Sequence, residues 1–323
     1  MNLIIFLLFS FDYSIKSRID FVYDYNIFEY SEKYLQEFIQ QVNPERFPFE
    51  TYDDLYTYYR LHLQFRNKFW RNHNTTFNLS FSGYNYFINE QKDYSIFTAG
   101  LRQSFGRWAV KIEHLYLPRY LIRYYKDPEN SRYIGCEFSE RLCSFKLSFI
   151  PDKEADLSLV IGYEIDDYIK EFDVYDSRAL RVGPVFEFGI TKFFKPEIHY
   201  EFKSSRAKGP IPDISYNQHK LFIKTELYTG FPKFSKWEFA YQMRYRIYTT
   251  EVSPVLDSPH SGRLDTVNNF KISWEFPILA GLYFTLGYSC EFRHSHSEVY
   301  PDIGEYKNYN KWTADCGLEF VYF

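Results

Sequence analysis

From Leu55 to the end of the chain, large apolar side chains alternate with polar or small ones at a period of two, the period of a β-strand. In 235-249, Trp237, Phe239, Tyr241, Met243, Tyr245 and Ile247 fall on one face, and Glu238, Ala240, Gln242, Arg244 and Arg246 on the other. In 280-293, Leu282, Phe284, Leu286, Tyr288, Cys290 and Phe292 oppose Thr285, Gly287, Ser289, Glu291 and Arg293. The same split separates Ile198, Tyr200 and Phe202 from Glu197, His199, Glu201 and Lys203, and Phe270, Ile272, Trp274 and Phe276 from Lys271, Ser273 and Glu275. Strands are predicted at 55-68, 74-87, 94-105, 107-124, 132-150, 156-168, 178-191, 197-204, 218-230, 235-249, 267-277, 280-293 and 308-323. Nearly every one carries several large apolar groups on one side and charge on the other. A soluble single-sheet barrel with that pattern would have a charged interior and an apolar exterior and would aggregate. The distribution makes sense in lipid.

The closing segment sharpens this reading. Trp312, Ala314, Cys316, Leu318, Phe320 and Tyr322 share one face, Thr313, Asp315, Gly317 and Glu319 the other, and the last residue is Phe323. A two-faced strand ending this way resembles the closing strand of bacterial outer-membrane β-barrels. That resemblance implies an all-β fold, a transmembrane antiparallel up-and-down barrel. It also implies that Phe320, Tyr322 and Phe323 form the address read by the barrel insertion machinery. The segment Pro118 to Tyr125 and the overall arrangement also resemble, loosely, the barrel portion of outer-membrane proteins that carry tetratricopeptide repeats, although this chain has no such repeats.

The connections add a second periodicity. Phe105-Gly106-Arg107, Phe194-Lys195-Pro196, Gly230-Phe231-Pro232 and Pro277-Ile278-Leu279 are tight, whereas 205-217, 250-266 and 294-307 are long, polar and rich in Pro, Ser and Asp. Bacterial barrels have short periplasmic turns and longer extracellular loops, and counting back from a periplasmic C-terminus puts every long loop outside. Single-chain bacterial barrels have an even number of strands, so thirteen segments leave one unaccounted for. Fourteen is expected, the extra strand lying within 20-54 on Phe21, Tyr23 and Tyr25, with twelve as the alternative. Pro118 and Pro184 each remove a ladder hydrogen bond and predict bulges.

Three regions are expected: a signal peptide at 1-20, a helical or irregular segment at 21-54, and the barrel at 55-323. The run Leu3 to Phe9 has the length of a signal-peptide core and is too short to span a bilayer as a helix. Ser31 followed by Glu32, Tyr34, Leu35, Phe38 and Ile39 has helical spacing with an N-cap, and Pro44 and Pro48 stop it. This short helix is expected on the periplasmic side or folded into the lumen as a plug.

Composition agrees with a barrel and excludes other classes. Aromatic residues make up 22% of the chain, with 32 Tyr and 34 Phe against 2 Met, a bias towards residues that suit strands and membrane interfaces. Charged residues at 25% and a mean hydropathy of -0.43 exclude a bundle of apolar membrane helices. A net charge of -4 gives no basis for binding nucleic acid. Cys136, Cys143, Cys290 and Cys316 lack any C-x-x-C spacing, and no cofactor is expected. Cys290 and Cys316 fall on one face of consecutive strands, which makes a bridge conceivable.

Candidate chemistry lies on the inward face. Its cations are Arg60, Arg66, Arg102, Lys111, Lys146, Arg181, Lys203, Lys224, Arg244, Arg246, Lys271 and Arg293. Its anions are Glu113, Glu164, Glu187, Glu197, Glu201, Glu226, Glu238, Glu275, Glu291, Asp315 and Glu319. Rings of one sign would indicate ion selectivity, whereas this mixture predicts charge pairing across the lumen around a weakly selective channel or a sealed one. Glu197 and Glu201 are read as lumen residues rather than an acid/base pair. His294 and His296 are alternate residues at the start of the last long loop and lack an identifiable acidic or cysteine partner. No match to a lipid-hydrolase motif is found, so an enzyme is not expected; a lipid-modifying enzyme and a non-conducting surface scaffold or export partner remain as alternatives to a channel. Arg119 and Arg123 with Tyr120, Tyr124 and Tyr125 form a basic aromatic cluster at a strand end, suited to an interface girdle facing outer-membrane lipids or to contact with lipopolysaccharide phosphates.

The proposed role of the terminal aromatic is testable. Deleting Phe323, or making Phe323→Ser, is expected to leave synthesis intact and lower the amount inserted in the membrane. Pulse-chase assembly at the wild-type rate would remove that assignment.

Overall fold

The computed structural model describes residues 12–70, 73–127, 131–151, 155–191, 193–230 and 235–322. The chain forms a closed antiparallel barrel of fourteen strands: β1 (Asp12–Tyr25), β2 (Asp54–Trp70), β3 (His73–Tyr86), β4 (Tyr94–Phe105), β5 (Trp108–Lys126), β6 (Tyr133–Phe149), β7 (Ala155–Tyr168), β8 (Ser177–Phe188), β9 (Phe194–Ala207), β10 (Tyr216–Thr229), β11 (Ser235–Tyr248), β12 (Arg263–Leu279), β13 (Leu282–Ser297) and β14 (Tyr309–Tyr322). Each strand pairs with its sequence neighbours, and β1 with β14 closes the ring. Two short helices, α1 (Glu32–Ile39) and α2 (Ile303–Lys307), lie in loops. The shortest strands have 12 residues and the longest 19, enough for the roughly 9–11 that a tilted strand needs to cross a bilayer.

The register explains why the period-two pattern produces a two-sided wall. Arg102 pairs with Lys111, Lys111 with Lys146, Arg181 with Lys203 and Arg244 with Lys220, so polar positions meet polar positions and share the inner face. The alternate set, including Phe97, Leu101, Ile112, Phe145, Leu159, Leu180, Phe239, Phe270 and Leu286, is exposed on the outside. This apolar exterior around a charged interior is the distribution required in lipid.

The fourteenth strand is β1, built on Phe21, Tyr23 and Tyr25 as the alternation within 20-54 indicated. It corrects the predicted regions. Lys16, Arg18 and Asp20 are wall residues paired with β2 and β14, so the barrel includes Asp12–Tyr25 and is not confined to the residues from 55 onward. The run Leu3 to Phe9, Phe323 and Pro232 lie outside the described residues. What remains of the 21-54 segment is an insertion, 26–53, at the end that carries every long loop. The helix is present with Ser31 as its N-cap, the hydroxyl accepting from the Tyr34 backbone N–H at 3.3 Å, but it caps the long-loop mouth rather than the opposite, periplasmic end.

The prolines divide. Around Pro118 the β5–β6 register slips twice, between Leu117 and Tyr120 and between Leu121 and Tyr124, so the strand is bulged there. At Pro184 there is no slip: pairing with β9 stops after Val182 and resumes unchanged at Val185. Gly183 makes this possible, because a Cβ there would collide with the Tyr200 carbonyl oxygen of the adjoining strand. Close approach of the two backbones takes the place of a bulge.

All four cysteines are free. Cys316 is opposite Leu286, and Cys290 is opposite Trp312, so the two thiols lie four residues apart along the ladder, about 13 Å at strand rise, beyond disulfide reach. The outward-facing partner of Cys316 is Phe21. Phe21→Cys is therefore expected to form a disulfide with Cys316 in nearly all molecules under mild oxidation, read as faster migration of the unfolded, non-reduced chain. Absence of the bond would show that β1 does not close the barrel in this register.

Candidate functional site

The inner wall and the capped mouth together form the site. Arg102, Lys111, Glu113, Glu164, Arg181, Glu187, Glu197, Glu201, Lys224, Glu226, Glu238, Arg244, Arg246, Lys271, Glu275, Glu291 and Arg293 all take inward positions in the strand register. Their ion pairs run along the wall instead of across the lumen. Some join residues two apart on one strand, as in Lys111 with Glu113 and Lys224 with Glu226 at 3.3 Å. Others join neighbouring strands, as in Lys236 with Glu275 at 2.9 Å and Lys16 with Glu319 at 2.7 Å. Others skip one strand, as in Lys146 with Glu187 at 3.1 Å and Arg244 with Glu291 at 3.0 Å. Glu164 is enclosed between Arg181 and Lys203, the latter at 2.5 Å. Among the described residues Arg102, Glu197, Glu201, Arg246 and Lys271 form no ion pair.

Pairing along the wall keeps space in the middle. A polar cavity of about 340 Å³ is bounded by Lys16 and Arg18 on one side and Lys224, Glu238, Lys271 and Glu275 on the other. A second, of about 580 Å³, opens at the short-turn end between Asp156, Glu187, Lys195 and Glu197, and both reach Lys224 and Glu226. The lower lumen is therefore a wet, mixed-charge space.

The insertion 26–53 packs over the opposite end, against β3 and β5, with a cavity of about 870 Å³ between it and the last long loop. Its core is aromatic: Ile27, Phe28, Tyr30, Tyr34, Phe47 and Phe49 are buried together with Tyr86 and Leu121 of the wall. Phe28 and Phe49 have ring centroids 3.7 Å apart, Tyr30 meets Phe47 edge-on at 5.3 Å, and Phe49 meets Tyr124 of β5 edge-on at 5.3 Å. Each such ring, fully buried, contributes about 1.5–3 kcal/mol. The lid is also tied by polar contacts. Fully buried Asn26, at φ 76, donates to the carbonyls of Tyr30 at 2.8 Å and Asn310 at 3.1 Å and accepts from the Tyr30 N–H at 2.7 Å. Lys33 reaches the last long loop, at Glu305 (3.0 Å) and the Tyr306 hydroxyl (2.7 Å).

Two charged groups, one in the lid and one beneath it, were not singled out in the sequence. Glu29, between buried Phe28 and Tyr30, has its charge set by the lumen. Burial alone would push its carboxyl up, but Lys311, Arg123, Arg293 and Arg244 together hold it below the usual carboxylate range. Lys92, in the loop between β3 and β4, is 2% exposed and donates to the carbonyls of Leu121 at 2.6 Å and Ile122 at 3.4 Å. It lies over the Tyr120 ring at 4.6 Å and the Phe28 ring at 5.2 Å. Burial, reinforced by the Lys311 charge, pushes its ammonium down to about 7.

The basic aromatic cluster of β5 separates. Only Arg119 faces out, in a bidentate pair with Glu137 at 2.6 and 2.7 Å. Arg123 is 7% exposed, its guanidinium 5.6 Å from the Tyr30 ring and 5.9 Å from the Tyr125 ring, which removes it from any lipid-facing girdle. Tyr120 covers Lys92 and Tyr124 packs on the lid. His294 and His296 belong to the last turn of β13 and not to the loop, on the outward face, opposite Thr266 and Leu264. Among the described residues no group of three or more His, Cys, Asp or Glu is placed to hold a metal.

A closed antiparallel barrel with an apolar exterior, a charged lumen and long loops at one end is a transmembrane β-barrel. No protein-family model matches the sequence, and no curated protein does. Solved structures do match in fold. The anion-selective porin from Comamonas acidovorans superposes with a TM-score of 0.52 at 6% identity, covering 97% of this chain and 99% of that one. OmpT of Vibrio cholerae gives 0.52 at 6% identity, covering 97% of each chain, and the outer membrane channel DcaP of Acinetobacter baumannii 0.50 at 10%, covering 97% and 98%. The fold is that of bacterial outer-membrane porins and channels, and the apolar belt on this barrel suits it to that membrane.

Lys92 gives the lid a pH dependence whose sign is fixed. In the closed form the ammonium is lost near pH 7, whereas with the lid lifted into water it is retained up to about 10.4. Closure is therefore weakest below pH 7 and strengthens as pH rises towards 10. Amide-exchange protection of 26–53, corrected for intrinsic rate, is expected to rise about 25-fold between pH 6.5 and 8.5. Lys92→Met is expected to flatten that dependence. An unchanged slope in the variant would show that another group controls it.

Proposed function

We propose that the protein is an outer-membrane channel of small conductance, closed at its outer mouth by a resident lid. The observation that carries this reading is the pairing of charges along the wall, which leaves a water-filled lumen under the lid where cross-lumen pairs would have sealed it. Cations and anions interspersed along the wall, with no ring of one sign, give the lower lumen little preference between cations and anions. The aromatic lid, not the wall, is then the resistance to flow. A barrel of fourteen strands lies between small barrels filled by their own side chains and porins of 16–18 strands with an open aqueous channel, so a modest conductance follows from its size.

The aromatic closure also favours a second reading, a non-conducting surface scaffold that displays the lid and neighbouring loops. No catalytic step enters either reading. Interaction with lipopolysaccharide, if Arg119 takes part, competes with its pair to Glu137.

The segment to remove in a test is set by the strand boundaries. Deleting 21–54 would take the end of β1 with it and open the barrel, so 31–50 is replaced by a short Gly-Ser linker instead. In planar bilayers the wild type is expected to show small, weakly selective conductance, and the shortened protein one several times larger. No conductance from either form, with both folded by heat-dependent migration in SDS, would exclude the channel and leave the scaffold.

A further inference from the structure

The upper lumen, directly beneath the lid, differs in charge from the rest of the wall. Lys311 is paired with Asp24 at 2.8 Å and Arg244 with Glu291 at 3.0 Å, while Arg263 and Arg293 share the single carboxylate of Asp265 at 2.8 and 2.5 Å. Arg123 and Arg246 have no carboxylate partner among the described residues. Positive charge is in surplus here, whereas the lower lumen is balanced.

Arg123 shows the surplus most clearly. Its guanidinium is charged at every accessible pH and 7% exposed, and its Nε is buried without a hydrogen-bond partner. Burying a charge without a partner costs several kcal/mol. The Nε of Arg293 and that of Arg244 are likewise buried and unpartnered. Donors of this kind, planar and preorganised, match a carboxylate with two parallel hydrogen bonds.

One carboxylate is already within their electrostatic reach. Glu29, held at φ 53 by its N–H donating to the Asn26 carbonyl at 3.0 Å, feels the charges of Arg123, Lys311, Arg293 and Arg244, yet it forms an ion pair with none of them. It offsets their charge from a distance and leaves their hydrogen-bonding edges free.

We propose that this cluster of buried cations binds a small carboxylate solute, with Glu29 as a tethered competitor that the solute displaces. The proposal relies on the channel reading only for the solute's route of entry. Binding couples to the lid because Glu29 lies in the lid: a solute carboxylate seated on Arg123 repels Glu29 and loosens the turn that anchors 26–53. A solute with more than one carboxylate gains more, since more than one cation lacks a partner.

Calorimetry of the full chain in detergent at low ionic strength tests this, with citrate and propionate as probes and inorganic phosphate for comparison. Citrate is expected to bind more tightly than either of the others. Glu29→Gln is expected to tighten it about tenfold, whereas Glu50→Gln, which removes an exposed lid carboxylate and the same charge, leaves it unchanged. In the Glu29→Gln background, Arg123→Gln is expected to weaken binding at least tenfold; Arg123→Lys, which keeps the charge, serves if that variant does not fold, with a smaller loss expected. Citrate affinity indifferent to Glu29, or phosphate binding as tightly as citrate, overturns the proposal. The heat of binding needs no ion flow, so a barrel that binds citrate without conducting removes the channel and keeps the site, and one that conducts but ignores citrate does the reverse.

Discussion

The structure depends on one constraint: in lipid no backbone N–H or C=O can be left without a partner, because each unsatisfied group costs several kcal/mol with no water to replace the bond. A sheet meets that demand only by closing on itself. The closing contact is the β1–β14 ladder, running from Ile15 opposite Tyr322 to Tyr25 opposite Trp312. Closure dictates which face each side chain takes around the ring, since a one-residue slip would turn the charged set out into lipid. The inner wall, the cavities it encloses and the position of the lid over them all follow from that register.

Within the closed ring, charge and aromatic burial have separate tasks. The pairs along the lower wall neutralise neighbours without spanning the lumen, so they leave its water in place. The lid uses apolar burial instead, with Phe28, Tyr30, Phe47 and Phe49 packed against Tyr86, Leu121 and Tyr124. Lys92 and Glu29 are the polar groups trapped where the two regimes meet. Each is held in surroundings that resist its charge or oppose it with others, which makes that boundary the responsive part of the molecule.

Much of this was legible in the sequence because the wall has a strict local period. Alternation alone put Lys111, Glu164, Lys203, Arg244 and Glu291 on the inner face, and the alternation of short and long connections put the loops at one end. Ser31 announced its helix. The parts that were not legible depend on contacts distant in sequence. Asn26 and Asn310 meet near the mouth only because the ring closes, and the first half of β1 read as part of a signal. Arg119 lies within the register slip between Leu117 and Tyr120, and a two-residue count from Lys111 through Pro118 sends it to the lumen, whereas it is exposed and paired with Glu137. Pro184 read as a bulge because Gly183 before it gave no sign of how closely Tyr200 would approach. Cys290 and Cys316 share a face but are four rungs apart, a separation set by turn length and not by composition.

The insertion is anchored at both ends, by Asn26 at the top of β1 and by Asp53 and Asp54 at the top of β2, where Tyr23 bonds to Asp53 and the Asp54 carboxylate accepts from the Asn89 N–H at 2.7 Å. Its return to the mouth is thus an intramolecular event, and Glu29 is present at an effective concentration on the order of millimolar for a short tether. In the proposed site a free carboxylate competes with that figure, so the length of the tether enters the solute concentration at which the lid would be released, together with the two groups' relative affinities for the cations.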